Sequence, residues 1–184
     1  MALENEEFVL PTRTFKRGDA EKSLVSSKNW LEGEQLVRGQ EHFYLEGQVS
    51  VASPNEDGGV HVISSSQHPT EVQKLVASVL GVGINRVDAE VRRMGGAFGG
   101  KESQAAAIAC LASIFAIRNG RPAKYKLARQ DDMVQTGKRH DFWNRYRVGF
   151  NDEGLISGVE MHLAGMCGCT ADLSEGIVDR AMFH

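Results

Sequence analysis

Hydrophobic positions along the chain change period several times, and each change marks an element. From Thr70 to Gly81, Val72, Leu75, Val76, Val79 and Leu80 follow the i, i+3, i+4, i+7, i+8 spacing of one helix face. Gln73 is placed to complete a capping box there, and Gly81 to stop the helix. Between Arg86 and Arg92 the period drops to two, since Val87, Ala89 and Val91 alternate with Asp88, Glu90 and Arg92. This strand runs straight into Met94-Gly95-Gly96-Ala97-Phe98-Gly99-Gly100-Lys101. Glu102 to Ile117 is Ala-rich and apolar on nearly all sides, which predicts a buried helix ended by Asn119-Gly120-Arg121-Pro122. Ala123 to Leu127 reads as a further strand, and Tyr146, Val148, Phe150 then Val159, Met161, Leu163 alternate around Asn151–Gly154 as a hairpin.

Upstream, Phe43, Leu45, Val49 and Val51 interleave with polar residues within an extended stretch from Trp30 to Pro54. Turn residues at Pro54-Asn55 and Gly58-Gly59 then lead to Val60–Ile63, so two strands joined by a loop are expected. Asp19 is an N-cap candidate for a short helix through Ala20, Leu24 and Val25. The expected fold is α+β, a two-layer mixed β-sheet with two main helices in the order β-β-α-β-α-β plus a C-terminal β-hairpin. Residues 1–30 are expected to be a linker segment and residues 31–184 the domain proper.

Composition narrows the function classes. A hydrophobic share of 41% and a charged share of 24% are those of a folded globular chain, and a net charge of −3 supplies no positive field for nucleic acid. No run of about 18 apolar residues and no basic, apolar leader is present, so a cytoplasmic protein without a membrane partner is the default. The three cysteines, Cys110, Cys167 and Cys169, are too few and too irregular for a disulfide framework or an iron–sulfur site. The six histidines show no zinc-ligand spacing. Glu41 and Glu46 straddle an aromatic pair, which suits either acid/base carboxylates or a strand with alternate residues facing solvent. Arg129–Asp132 and Lys138–His140 read as a solvated mixed-charge patch.

Glycine is over-represented, with 20 residues, and four of them fall within Gly95–Gly100. Strand, glycine-rich loop and buried helix can turn backbone N–H groups toward one bound anion or oxo group. The plainer alternative is a tight connection that only lets helix and sheet approach. Gly95, Gly100 and Lys101 satisfy G-x-x-x-x-G-K, but Glu102 stands where a nucleotide loop needs Ser or Thr for Mg²⁺. The dinucleotide pattern G-x-G-x-x-G fails at Ala97. A non-catalytic anion-binding module using Gly95–Lys101 remains as the alternative to an enzyme.

The string Arg93-Met94-Gly95-Gly96-Ala97-Phe98-Gly99-Gly100-Lys101-Glu102 resembles the molybdenum-site loop of the xanthine dehydrogenase family, within the molybdenum hydroxylases. In matching order stand Gly39-Gln40-Glu41-His42-Phe43-Tyr44-Leu45-Glu46, Ser65-Ser66-Gln67, Gly137 to His140, Tyr146 to Phe150 and Asp172-Leu173-Ser174. The resemblance runs from about Phe8 to His184 and implies an N-terminal fragment of the molybdenum-binding region of a molybdopterin-binding large subunit, with the parent chain continuing further.

What it implies for function is specific. Xanthine or hypoxanthine would be oxidised to urate at a molybdenum–molybdopterin centre, in purine breakdown. Electrons would leave through the iron–sulfur clusters and FAD of a partner small subunit or domain. Gln67 matches the family glutamine that hydrogen-bonds an oxo ligand of the metal, and Phe98 the loop residue whose main chain reaches the metal centre. Gly96, Ala97, Phe98 and Gly99 match the cofactor-binding loop, and Glu102 the glutamate that contacts the purine. Ala97 replaces a glycine that many relatives carry. The family's glutamate base and purine-binding arginine are expected downstream of His184, so no catalytic base is assigned within this chain and the isolated chain is expected to be inactive. An aldehyde- or carbon-monoxide-oxidising relative is the alternative within the family. Glu102 speaks against it, because a carboxylate suits a purine N–H and does little for a plain aldehyde.

Overall fold

The computed structural model describes residues 3–184. In chain order its elements are α1 (Ala20–Ser26), β1 (Asn29–Val37), β2 (Val49–Pro54), β3 (Val60–Ser64), α2 (Pro69–Leu80), a 3-10 turn at Ile84–Arg86, and β4 (Val87–Glu90). There follow α3 (Gln104–Asn119), β5 (Ala123–Lys126), α4 (Arg129–Gln135), β6 (Asp141–Phe150), β7 (Ile156–Met166) and α5 (Ser174–Phe183). They divide into two units, inner and outer by their place in the sequence: an inner one, residues 40–139, and an outer one, the described residues on either side of that span.

The inner unit is built on a four-stranded sheet in the order β4-β3-β2-β5, with β2 antiparallel to β3 and β5 and β3 parallel to β4. Its elements run β2-β3-α2-β4-α3-β5, the β-β-α-β-α-β order and mixed α+β class that the hydrophobic periods predict. Both helices pack on the sheet, because Val72, Val76 and Ala77 of α2 and Ala106, Ala109, Ala112 and Ala116 of α3 meet Ala52, Val60, Val62 and Val87 in one core. The alanines of α3 let the helix lie close to β2, which is why a helix with so little amphipathic contrast is stable only as a buried one. α2 ends at Gly81, whose φ of 69° is the left-handed cap predicted for it.

The outer unit is a three-stranded antiparallel sheet in the order β1-β6-β7, with α1 packed on β6 and β7 and α5 on β7. The β6–β7 hairpin and the Asp19 cap of α1, whose carboxylate accepts from the Lys22 N–H at 3.0 Å, follow the sequence reading. None of the helices in the described residues is long and apolar enough to cross a membrane.

Five local expectations are corrected. The stretch Trp30–Pro54 is not one strand: β1 leaves for the outer sheet, and Phe43 takes a left-handed φ of 47° in the connecting loop, where Leu45 is also exposed. Gln73 builds no capping box, since its side-chain amide donates to the carbonyls of Ile84 and Val87 and ties α2 to the start of β4. The strand expected over Arg86–Arg92 is shorter, and the helix expected from Glu102 begins at Gln104. Finally, Arg129–Asp132 opens a helix, α4, and Asp132 alone departs from the solvated mixed-charge patch, its carboxylate buried while Gln130, Asp131, Lys138 and Arg139 are exposed.

Candidate functional site

The glycine loop lies in the inner unit between β4 and α3, and its glycines are required by geometry at two kinds of position. Gly96 and Gly99 have φ of 91° and 96°, which side-chain-bearing residues rarely adopt. Gly100 runs against an aromatic pair, where a Cβ would meet Tyr44 Cε1 at 2.7 Å and His42 Cγ at 2.9 Å. Phe98 takes φ of 54° without being glycine, and its ring is 63% exposed. Arg139 donates to the Phe98 carbonyl at 3.2 Å.

Most N–H groups of this loop already have protein acceptors. Gly95 donates to the Glu46 carboxylate (2.9 Å), Gly100 to the Ala97 carbonyl (2.8 Å), and Gly99 and Lys101 both to Gln67 Oε1 (3.1 and 3.2 Å). The N–H groups left for a ligand among the described residues are therefore those of Gly96, Ala97 and Phe98, three of the four loop residues singled out by the sequence. Ala97 itself is 5% exposed and has no positive φ, so its methyl group fits where it stands.

Gln67 follows β3 and is held from two sides. Its own N–H donates to the Lys101 carbonyl at 2.9 Å, and its side-chain oxygen takes the two loop N–H groups. The orientation of the amide is thereby fixed, because the opposite one would set its NH₂ against two N–H donors. Its Nε2 has no acceptor among the described residues, and Gln67 is exposed. A hydrogen-bond donor is thus presented beside the loop.

Beneath the loop sits a layer of buried polar groups that the sequence did not reveal. The Tyr44 hydroxyl donates to Asp132, whose other oxygen accepts the Gln48 N–H at 3.1 Å, and Thr136 Oγ1 donates to the same carboxylate at 3.1 Å. Gln48 Nε2 reaches both the Tyr44 hydroxyl (3.0 Å) and the Gly100 carbonyl (2.9 Å). Burial, reinforced by the Asp132 carboxylate, raises the Tyr44 pKa and keeps its hydroxyl protonated as a donor. Burial and the neighbouring Arg139 lower that of His42, which stacks on Tyr44. No residue in this layer is distinctive by type; only long-range pairing brings them together.

Lys101 and Glu46 belong to the same layer. The Lys101 ammonium is 0% exposed and lies 2.7 Å from Ser65 Oγ, 3.4 Å from Glu46 Oε2 and 4.7 Å from the centre of the Tyr44 ring. Burial works against the Glu46 carboxylate, but hydrogen bonds from Ser65 and Gly95 together with Lys101 outweigh it and hold its pKa low. Glu41 is tied to Lys138 at 2.8 Å. Each of the two glutamates is thus committed to its own cation, and neither the acid/base pair nor the alternating-strand reading describes them.

A cation enclosed in this way is not offered to phosphate. ATP and GTP with Mg²⁺ are expected to show no heat of binding in calorimetry, and a Mg²⁺-dependent affinity lost in Lys101→Ala would reverse that reading. Glu102 sits two residues before α3, half-buried, and makes no hydrogen bond to another described residue. Gln67, Phe98 and Glu102 are all placed by the same loop and its flanks. Among the described residues no group of three or more His, Cys, Asp or Glu side chains is arranged to hold a metal ion. Polar backbone and amide groups of this kind suit a metal carried by an organic cofactor.

Comparison with known proteins identifies the family. The family model described as the molybdopterin cofactor-binding domain matches residues 3–184. Xanthine dehydrogenase from Dictyostelium discoideum is 43% identical over 183 residues, covering 100% of this chain and 14% of that protein. Aldehyde oxidase 3 from Mus musculus is 40% identical over 182 residues, covering 98% of this chain and 14% of that protein. Among solved structures, the aldehyde oxidoreductase from Desulfovibrio gigas superposes with a TM-score of 0.71 at 23% identity, over 80% of this chain and 16% of that one, a likeness of fold. The chain therefore spans about a seventh of the length of these curated relatives.

Proposed function

Since the chain belongs to the molybdopterin cofactor-binding domain family, we propose that it forms one wall of the molybdenum centre, and part of the purine pocket, of an enzyme that oxidises xanthine and hypoxanthine to urate. The observation that carries this reading is Gln67, whose amide oxygen is pinned by the Gly99 and Lys101 N–H groups so that its NH₂ is left as a donor beside the N–H groups of Gly96–Phe98. When bound, the molybdenum cofactor supplies two-electron oxidation of an electron-poor ring carbon. Gln67 would donate to an oxygen ligand of the metal, the Gly96–Gly99 segment would hold the cofactor, and the exposed Phe98 side chain would shield it from water. Glu102 accepts a purine N–H with a carboxylate that no donor among the described residues occupies. Iron–sulfur clusters and FAD on a partner subunit or domain take the electrons, and the remainder of the large subunit supplies the base.

The similarity to an aldehyde oxidase at 40% identity supports a second reading in which the substrate is an aldehyde. Steady-state oxidation by the assembled enzyme separates the two. On the purine reading kcat/KM for xanthine exceeds that for an aromatic aldehyde by about tenfold or more. The reverse preference would favour the aldehyde reading.

A further inference from the structure

Lys101 heads the fully buried side chains of the described residues, and nothing in the proposed chemistry uses it. A buried ion pair is a weak source of stability, since two apolar side chains of equal volume would hold a core as well or better. Its geometry suggests another use. The ammonium sits on three acceptors, Ser65 Oγ, Glu46 Oε2 and the Tyr44 ring face, and so spends its three donors in three fixed directions. Glu46 binds the start of the loop, both accepting from the Gly95 N–H at 2.9 Å and donating its own N–H to the Gly95 carbonyl at 3.0 Å. Lys101 is the last residue of the loop, and its backbone pairs with Gln67 through both the N–H and the carbonyl. Ser65, its nearest partner, lies two residues before Gln67. The first and last residues of the loop and the segment that carries Gln67 therefore converge on one ion pair.

We propose that Lys101 and Glu46 are positioning residues, a clamp with a buried cation and a partly exposed carboxylate that closes the glycine loop at its base and so aims the Gln67 amide and the Gly96–Phe98 backbone at the cofactor. The proposal rests on the reading that Gln67 faces the molybdenum centre. Without the clamp, the Gly99 and Lys101 N–H groups and Gln67 Oε1 lose their common frame, and the amide samples several orientations although the core beneath remains filled.

The test uses the assembled, cofactor-loaded enzyme carrying Lys101→Met together with Glu46→Gln, a pair that removes both charges and keeps both shapes. Amide hydrogen exchange at Gly99 and Lys101 is expected to rise by about tenfold while α3 stays protected. The molybdenum paramagnetic resonance signal is expected to shift or broaden with pterin content unchanged, and kcat to fall about tenfold with KM altered less than about twofold. A wild-type signal and kcat with pterin bound would overturn the clamp and leave the pair a packing feature. Ser65→Ala, which removes a single acceptor from an intact core, is read in parallel. If the double variant does not fold, a displaced signal in Ser65→Ala supports the clamp and an unchanged one overturns it. Gln67→Ala serves as the control for the underlying reading: if that variant leaves the signal unaltered, Gln67 does not face the metal and the functional proposal itself fails.

Discussion

Glu102→Ala in the assembled enzyme is expected to lower kcat/KM for xanthine by about one to two powers of ten, about 1.4 kcal/mol of transition-state stabilisation for each, with molybdenum content intact. Glu102 stands between the end of the glycine loop and the first turn of α3, half-buried, and engages no other described residue, so removing its carboxylate leaves no protein donor stranded. The loss therefore reports on substrate. A carboxylate accepting from a ring N–H holds the purine with its reacting carbon turned toward the cofactor, so its removal costs productive positioning of the substrate. An aldehyde has no such donor and is expected to lose at most about twofold. Equal losses on both substrates, measured as steady-state kcat/KM with molybdenum quantified in the same samples, would make Glu102 a structural residue at the start of the helix.

The largest effect on stability is expected at Asp132, which is 2% exposed. Its carboxylate accepts from the Tyr44 hydroxyl, the Gln48 N–H and the Thr136 hydroxyl, and Asp132→Ala strands the first two, which are buried, whereas the Thr136 hydroxyl keeps the Asp132 carbonyl at 2.6 Å. Leaving buried donors unsatisfied costs about 1–3 kcal/mol each, and with partial relaxation the total should be about 3–5 kcal/mol. Thermal unfolding of the 184-residue chain, followed by circular dichroism, is expected to move down by about 10 °C. Asp132→Asn, which keeps one acceptor, should lose about half as much. A shift no larger than ~2 °C for the alanine variant would mean that the Tyr44 and Gln48 donors find other partners.

Asp132 also shows where the sequence stops being informative. Its neighbours Arg129, Asp131 and Lys138 are charged, and charged runs usually face solvent, so nothing local distinguishes the one carboxylate that points inward. Its burial is decided by Tyr44 and Gln48, more than eighty positions away, and by the Gly100 carbonyl that shares Gln48 with it. The elements that were legible are those whose cause is local. The period of Val72–Leu80 and the glycine after it define α2, the alternation around Asn151–Gly154 defines the hairpin, and the alanines of α3 declare a buried helix. Gln73 has the right spacing for a cap, yet the carbonyls of Ile84 and Val87 compete for its amide and win, because the return of the chain to β4 leaves them within reach. The loop was legible as a site through its glycines alone; that most of its N–H groups are turned inward, leaving three for a ligand, was not. Phe43 and Leu45 kept strand rhythm without being strand, since alternation records exposure only when a partner strand lies alongside.

The outer sheet carries a consequence for how the chain is made. β1 pairs along its whole length with β6, Asn29 with Phe150 and Val37 with Phe142, so each partner stands about a hundred residues away in the chain. At roughly 5–20 residues per second of synthesis, β1 leaves the ribosome some 5–20 s before β6 does. During that interval Trp30, Leu31, Leu36 and Val37 form part of an unpaired strand, while the inner unit, whose sequence is continuous from 40 to 139, can complete its own sheet. Glu32 and Glu34, set between these apolar residues, keep the waiting strand charged and discourage its pairing with a neighbouring nascent chain. The order in which the chain is synthesised thus makes the sheet built last the one that needs protection first.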